Sequence, residues 1–169
     1  MTALTSEPKI NKHIERVSCK KRSMSNVYRQ ALQPCSRHGE AVTGYTRNGL
    51  CQDVAGDRGS HHVCMNIQLR DGSSFCARTG QPEWCGERSA CHGDPTRVCR
   101  KAHWCVCQWA FARAVRELGC DQIDLDCGAT SLRALEAYDS HPRYAQAARC
   151  LRHKCGIRAV SIPEKKLYR

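Results

Sequence analysis

The sequence of 169 residues is poor in the large apolar side chains that usually build a protein core. Only 6% of its residues are aromatic, and no apolar run approaches the roughly 18 residues that a membrane-spanning helix needs. The first residues are polar, so we expect no secretory signal peptide. These absences predict a small domain without a membrane span, whose modest core needs additional cross-links.

Several motifs that carry chemistry are also missing. The sequence contains no C-x-x-C pair, which argues against a thioredoxin-like oxidoreductase and against a common type of zinc site. Its glycines are scattered at turns, so no phosphate-binding loop is evident. With no catalytic residue to name, we expect a non-enzymatic protein without a cofactor.

Cysteine is the residue whose abundance is most unusual, with 14 copies in the chain, close to the range of disulfide scaffolds. Without a secretory signal this abundance is unexpected, so metal binding and reduced thiols are alternatives to disulfides. We predict disulfides, and the spacing leaves their pairing open. The candidates are Cys35, Cys51, Cys64, Cys76, Cys85, Cys91, Cys99, Cys105, Cys107, Cys120, Cys127, Cys150 and Cys155.

The net charge of +11 predicts a partner with negative charge, such as an acidic protein or a nucleic acid. Residues 1–34 have few apolar positions and no sustained period, so we interpret them as an extended basic arm, and 163–169 as a basic tail. The aromatic residues do not interleave with the basic ones, so a nucleic-acid partner is possible but not favoured. The arm residues predicted to bind a partner are Lys20, Lys21, Arg22 and Arg29.

Residues 35–162 are predicted to form one α+β domain with a few short strands and about three helices. Alternating apolar residues over 61–69 predict a strand, and the Asp-Gly turn that follows predicts an antiparallel return over 73–77. Residues 78–103 show no apolar period and are predicted to be an irregular loop held by its cysteines.

The second half of the domain shows more helical periodicity. Residues 104–118 place their apolar side chains on one face, which predicts a helix that Gly119 ends. A strand is expected over 123–127, then a short helix capped by Thr130. Another helix is predicted from Pro142 to the residue before Gly156, followed by a short strand over 157–162.

A metal-binding or thiol-dependent site is the alternative to a purely structural role. Histidine and cysteine are metal ligands, and a cysteine beside a histidine can act as a nucleophile. His61 is near Cys64 in the sequence, and Cys105 and Cys107 are separated by one residue, although on a helix these two would face different sides. The residues of this alternative site are His61, Cys64, Cys105 and Cys107.

Four sequence blocks, spread over residues 32–138, resemble a family known as domain of unknown function 2237. They are residues 43–51 (TGYTRNGLC), 59–64 (GSHHVC), 104–107 (WCVC) and 123–135 (IDLDCGATSLRAL). Bacterial members of this family have a similar order of blocks. The family has no established activity, so the resemblance implies no catalytic residues.

The chain differs from the bacterial pattern in its additional cysteines. In this respect it resembles the cysteine-rich versions found in large DNA viruses of algae and protists. The resemblance implies a minor capsid protein that contacts other virion proteins, in a particle assembled in the host cytoplasm. Such viruses commonly carry their own thiol-oxidation machinery, which would allow disulfides without secretion. The additional cysteines are Cys76, Cys85, Cys91, Cys99, Cys120, Cys127, Cys150 and Cys155.

Overall fold

The computed structural model describes residues 24–158, which contain short strands and four α-helices, so the predicted α+β class is confirmed. The strands are β1 (Val63–Asn66), β2 (Arg88–Cys91), β3 (Asp94–Arg100) and β4 (His103–Val106). The helices are α1 (Phe75–Arg78), α2 (Gln108–Leu118), α3 (Leu132–Asp139) and α4 (Ala145–Cys155). There are also two 3₁₀ turns. One, Cys120–Gln122, precedes extended chain, and the other, Pro142–Tyr144, precedes α4.

The strands form two antiparallel pairs. β1 pairs with β4, with Val63 opposite Val106. β2 and β3 form a hairpin, which Ala41 joins through a bridge to Cys91. These pairs are too short to be stable alone, so the helices and the disulfides must support them.

The core lies between the β1–β4 pair and the packed helices α2, α3 and α4. Met65, Phe111 and Tyr138 are completely buried or nearly so, and the rings of Phe111 and Tyr138 stack with their centroids 6.1 Å apart. Burying such a side chain contributes about 1.5–3 kcal/mol. Because these residues surround the start of α2, the core fixes the position of that helix.

The predicted helix over 104–118 begins later than expected. His103–Val106 form strand β4, and the helix begins at Gln108. All four residues of β4 are buried, so this strand has no polar face. A short continuous apolar run of this kind can be a strand or a buried helix segment, and its periodicity does not distinguish them.

The predictions for residues 73–103 were right only in part. The chain does return antiparallel after the Asp-Gly turn, since Ser74 forms a bridge with Gln68, but it continues as helix α1, whose N-cap Ser74 accepts a hydrogen bond of 3.0 Å from the N–H of Ala77. The predicted irregular loop contains the β2–β3 hairpin. Most side chains of β3 are exposed, so this strand lacks the apolar alternation that would have revealed it.

In the last third of the domain, the element boundaries differ from the predictions. Of the strand expected over 123–127, only Leu125 forms a bridge, to Met65. Ser131 caps α3, because the hydroxyl of Thr130 donates to the carbonyl of Asp126 at 2.7 Å instead. Gly156 ends α4 in the left-handed conformation, as predicted. Residues 157–158 are not a strand, and 159–162 lie outside the described residues.

Six disulfides connect these elements. Each closes a loop, and a native disulfide of this kind contributes about 2–4 kcal/mol. Cys107 is the free cysteine among residues 24–158, which corrects the prediction that it forms a disulfide. The pairs are Cys35–Cys64, Cys51–Cys105, Cys76–Cys85, Cys91–Cys99, Cys120–Cys150 and Cys127–Cys155.

The part of the predicted arm that the structure describes, 24–34, contacts the domain. Val27 and Leu32 are buried, and Asn26 forms a bridge with Ser131. Arg29 is exposed, whereas Lys20, Lys21 and Arg22 lie outside the described residues, as does the tail. Between residues 24 and 158, no helix has the length and apolar character that a membrane crossing requires.

Candidate functional site

A cavity of about 650 Å³ opens beside the β1–β4 pair and the start of α2. This volume lies within the usual range for small-molecule sites, about 300–1,000 Å³. Three tryptophans, Trp84, Trp104 and Trp109, line it, and two side chains with nucleophilic or acid–base chemistry, His61 and Cys107, share it with them.

Cys107 lies between the end of β4 and the first residue of α2. It is the N-cap residue of that helix, it is half-buried, and its side chain caps no backbone group. The first N–H groups of a helix have no partners within the helix, and this end of a helix favours negative charge. A negative charge that develops on a group bound beside this helix end is therefore in a favourable electrostatic position.

His61 is held by Asp57 through two contacts. The backbone N–H of His61 donates to Asp57 Oδ2 at 2.8 Å, and its ring Nδ1 lies 2.7 Å from Asp57 Oδ1. An ionised carboxylate only accepts hydrogen bonds, so in the neutral imidazole the proton lies on Nδ1 and Nε2 keeps its lone pair. Because Asp57 fixes this tautomer, His61 can act as a base through Nε2.

The Asp57 carboxyl is well suited to this role. Its side chain is only 1% exposed. Burial raises the pKa of Asp57, but the backbone N–H and the ring of His61 outweigh this effect, so the net pKa is lowered. The carboxyl is therefore ionised at neutral pH, where it orients the imidazole.

The ring of His61 folds back over Gly59. A Cβ atom on residue 59 would lie 2.4 Å from Cε1 of His61, so another residue there would displace the ring. On another side, the ring of Tyr45 stacks on His61 with a centroid distance of 6.4 Å. This geometry gives a physical reason for the glycine two residues before the histidine.

The pairing of β1 with β4 brings His61 and Cys107 to the same end of the sheet. Val63 is opposite Val106, so His61 lies just before one strand and Cys107 just after the other. The carbonyl of Ser60 also accepts a hydrogen bond of 3.0 Å from the N–H of Gln108. This bond ties the histidine loop to the first turn of α2.

The start of α2 is fixed from its buried side as well. Tyr138 donates a hydrogen bond of 2.5 Å to the carbonyl of Gln108, and burial raises the pKa of Tyr138 well above its usual value. His62 Nδ1 lies 2.9 Å from Gln108 Oε1. Burial lowers the pKa of His62, although Gln108, Asp53 and Asp57 oppose this shift.

The charges that line the cavity are positive. Arg47 and Arg113 are both exposed there, and no aspartate or glutamate side chain is among the lining residues. The guanidinium of Arg47 lies 5.0 Å from the centroid of the Trp104 ring. Arg113 pairs with Glu117 at 2.9 Å, so Arg47 has the less compensated charge of the two.

The predicted metal ligands are divided between two environments. His61 and Cys107 both line the cavity, whereas Cys64 and Cys105 are buried in disulfides with Cys35 and Cys51. The sulfurs of Cys35, Cys51 and Cys105 lie within 4.8 Å of one another. Four reduced thiols at this place would suit tetrahedral zinc, but as disulfides they offer no thiolate ligands.

Sequence reasoning identified His61 and Cys107 but missed Asp57, which stands in a polar segment that resembles a surface loop. Its signal was local: a carboxylate four residues before the histidine, with the glycine between them. Trp84 and Arg47 were also missed, because they reach the cavity from distant parts of the chain.

Comparison with known proteins places these residues in a family context. A search of the curated proteins found no match. A family model described as an uncharacterized protein conserved in bacteria (DUF2237) matches residues 25–141. This match includes Asp57, His61 and Cys107 and the whole β1–β4 pair. The chain therefore belongs to the DUF2237 family.

Proposed function

We propose that this protein is a thiol-dependent enzyme that uses Cys107 as the nucleophile on a carbonyl carbon. The observation that carries this proposal is the arrangement of a free Cys107 and an Asp57-oriented His61 in one cavity. A nucleophile, a base and a group that orients the base are the recurring parts of covalent acyl transfer. This proposal develops the thiol-dependent site that the sequence offered as an alternative. A non-enzymatic role remains a separate prediction.

In the proposed reaction, His61 Nε2 takes the proton of the Cys107 thiol. The sulfur then forms a bond to the carbonyl carbon of an ester or thioester. The bond to the leaving alcohol or thiol breaks, and that group receives the proton from His61. Water repeats the sequence on the acyl-enzyme, so a carboxylic acid is released and the thiol is restored.

The first turn of α2 would stabilise the negative oxygen that forms during each attack. Trp109 and Ala110 line the cavity from this turn, and their backbone N–H groups belong to the set that a helix leaves without internal partners. Donors directed at a developing oxyanion are often the largest contribution to catalysis in such sites.

The activated ester 4-nitrophenyl acetate tests the proposal without knowledge of the natural substrate. Without reductant, we expect a burst of about one nitrophenolate per chain and acetylation of Cys107 by peptide mass spectrometry. Cys107→Ala should abolish the burst, and His61→Asn should slow it by about 10²–10⁴-fold.

His153→Asn is the matched control, because His153 is exposed on α4 and does not line the cavity. It should keep the burst of the unmodified protein. A burst of equal size in Cys107→Ala, or acetyl groups found only on lysines, would contradict the proposal.

We propose as a second candidate a structural role as a minor capsid component, located in the virion. Six disulfides that cross-link the described domain favour it, because such a domain resists unfolding outside a cell. The net charge of +11 suits acidic capsid neighbours. In purified particles, quantitative mass spectrometry should find the protein in fixed ratio to the major capsid protein, and absence from particles would reject this role.

A further inference from the structure

The residues that line the cavity beside Cys107 indicate which class of ligand it binds. Its charged lining residues are arginines, and a low-dielectric cleft with charges of one sign concentrates ligands of the opposite sign. A ligand with a negative group therefore has a favourable charged partner there, whereas no carboxylate side chain lines the cavity to pair with a cationic one.

The aromatic walls restrict the rest of the ligand. The rings of Trp84 and Trp104 meet edge to face with centroids 5.0 Å apart, and Trp104 is almost completely buried. Lys101 Nζ lies 4.0 Å from the Trp84 centroid and 5.5 Å from the Trp104 centroid, and its side chain is nearly buried. The tryptophans are thus fixed, and rigid indole surfaces favour flat apolar groups.

Arg47 joins these two features. Its guanidinium lies over the Trp104 ring, in a loop whose backbone at Arg47 has a positive φ of 55°. Its neighbour Gly44 permits a tight turn, because a Cβ there would lie 2.6 Å from the Leu50 carbonyl oxygen. The loop therefore holds a cation directly above an aromatic wall, where a carboxylate could pair with it.

We infer that the cavity binds small carboxylates with a flat apolar group, with the carboxylate at Arg47 and the flat group against the indole surfaces that line the cavity. This inference rests on the proposed function, since it names the substrate class of the same site. The reacting carbonyl would be a second group of the substrate, directed towards Cys107.

The test measures how simple ligands protect Cys107 from alkylation by iodoacetamide, at constant ionic strength and without reductant. Benzoate has both features, benzamide only the flat group and acetate only the charge. We expect benzoate to protect at concentrations about tenfold or more below either of the others. Equal protection by benzoate and benzamide, or by benzoate and acetate, would overturn the inference.

Variants distinguish the contribution of the carboxylate from that of the flat group. They also distinguish this inference from the proposed function. Arg47→Gln should remove the advantage of benzoate over benzamide, whereas Arg97→Gln, an exposed arginine on β3 outside this cavity, should retain it. The alkylation rate without ligand tests the proposed function independently. If His61→Asn leaves that rate unchanged, the proposed function fails; if it slows the rate but benzoate gives no preferential protection, only this inference fails.

Discussion

Cys105 and Cys107 are two residues apart and have different environments. Cys105 lies in β4, is 1% exposed and is bonded to Cys51. Cys107 lies beyond the strand, is half-buried and is free. The change occurs within one residue, because the chain leaves the sheet after Val106 and begins α2 at Gln108. A small change in backbone direction therefore separates a structural cysteine from a candidate nucleophile.

Removing both sulfurs of the buried pair should give the largest effect on stability. In Cys51→Ala/Cys105→Ala, we expect the free energy of unfolding to fall by about 2–5 kcal/mol, because a link across 54 residues is lost. Cys107→Ala should change it by less than about 1 kcal/mol. Denaturant titration measures both values.

If the double variant does not fold, Cys76→Ala/Cys85→Ala is a milder replacement, since that disulfide spans only nine residues. A loss in Cys107→Ala equal to that of either pair would contradict the division between structural and free cysteine.

The position of His61, which lines the same cavity as Cys107, can be disturbed without replacing the histidine. In Gly59→Ala, the added Cβ would meet the His61 ring, so the imidazole must leave its position against Asp57. We expect acylation of Cys107 to slow by about tenfold or more, measured with 4-nitrophenyl acetate. Gly86→Ala is the control, because a Cβ there meets nothing closer than 3.4 Å; an equal loss in both variants would speak against the role of His61.

The hydrogen bond on the buried side of α2 should contribute less to the free energy of unfolding than the Cys51–Cys105 disulfide. Tyr138→Phe removes the hydrogen bond to the Gln108 carbonyl, and such a loss costs about 0.5–1.5 kcal/mol. Tyr28→Phe, at an exposed tyrosine, should have no measurable effect. Thermal unfolding of the two variants under the same conditions compares them directly.

The smallest expected effect is on the pH dependence of the free energy of unfolding. His62 has a lowered pKa in the folded protein because of burial, with Gln108, Asp53, Asp57 and Arg133 as its neighbours. The unfolded chain therefore binds a proton at His62 first, so this contribution to stability is complete above about pH 6.5 and is lost as the pH falls below it. His62→Gln should reduce the dependence of unfolding free energy on pH in this range, and His153→Gln should not.

The parts of the molecule that the sequence predicted are those with a strong local pattern. The helical period of residues 108–118 and the stop at Gly156 were clear. β3 was missed because its exposed side chains show no alternation, and β4 because it is buried on both faces. The β1–β4 pair joins residues that are far apart in the sequence, which no local pattern encodes.

Only part of the site was predicted, because the rest of it also depends on contacts between distant residues. His61 and Cys107 are chemically conspicuous, but the sequence did not show that Cys64 and Cys105 would be bridged to Cys35 and Cys51 while Cys107 stayed free. That difference depends on the register of β1 with β4. Asp57 became recognisable only when its carboxylate was seen against the imidazole.

A thiol count tests the central claim most directly. The native protein is denatured without reductant and alkylated, and its intact mass, its alkylated peptides and its metal content are measured. We predict alkylation of Cys107, together with at most Cys19, which lies outside the described residues, and no bound zinc. Alkylation of Cys35, Cys51, Cys64 and Cys105 with about one zinc per chain would contradict the account and indicate a tetrahedral metal site.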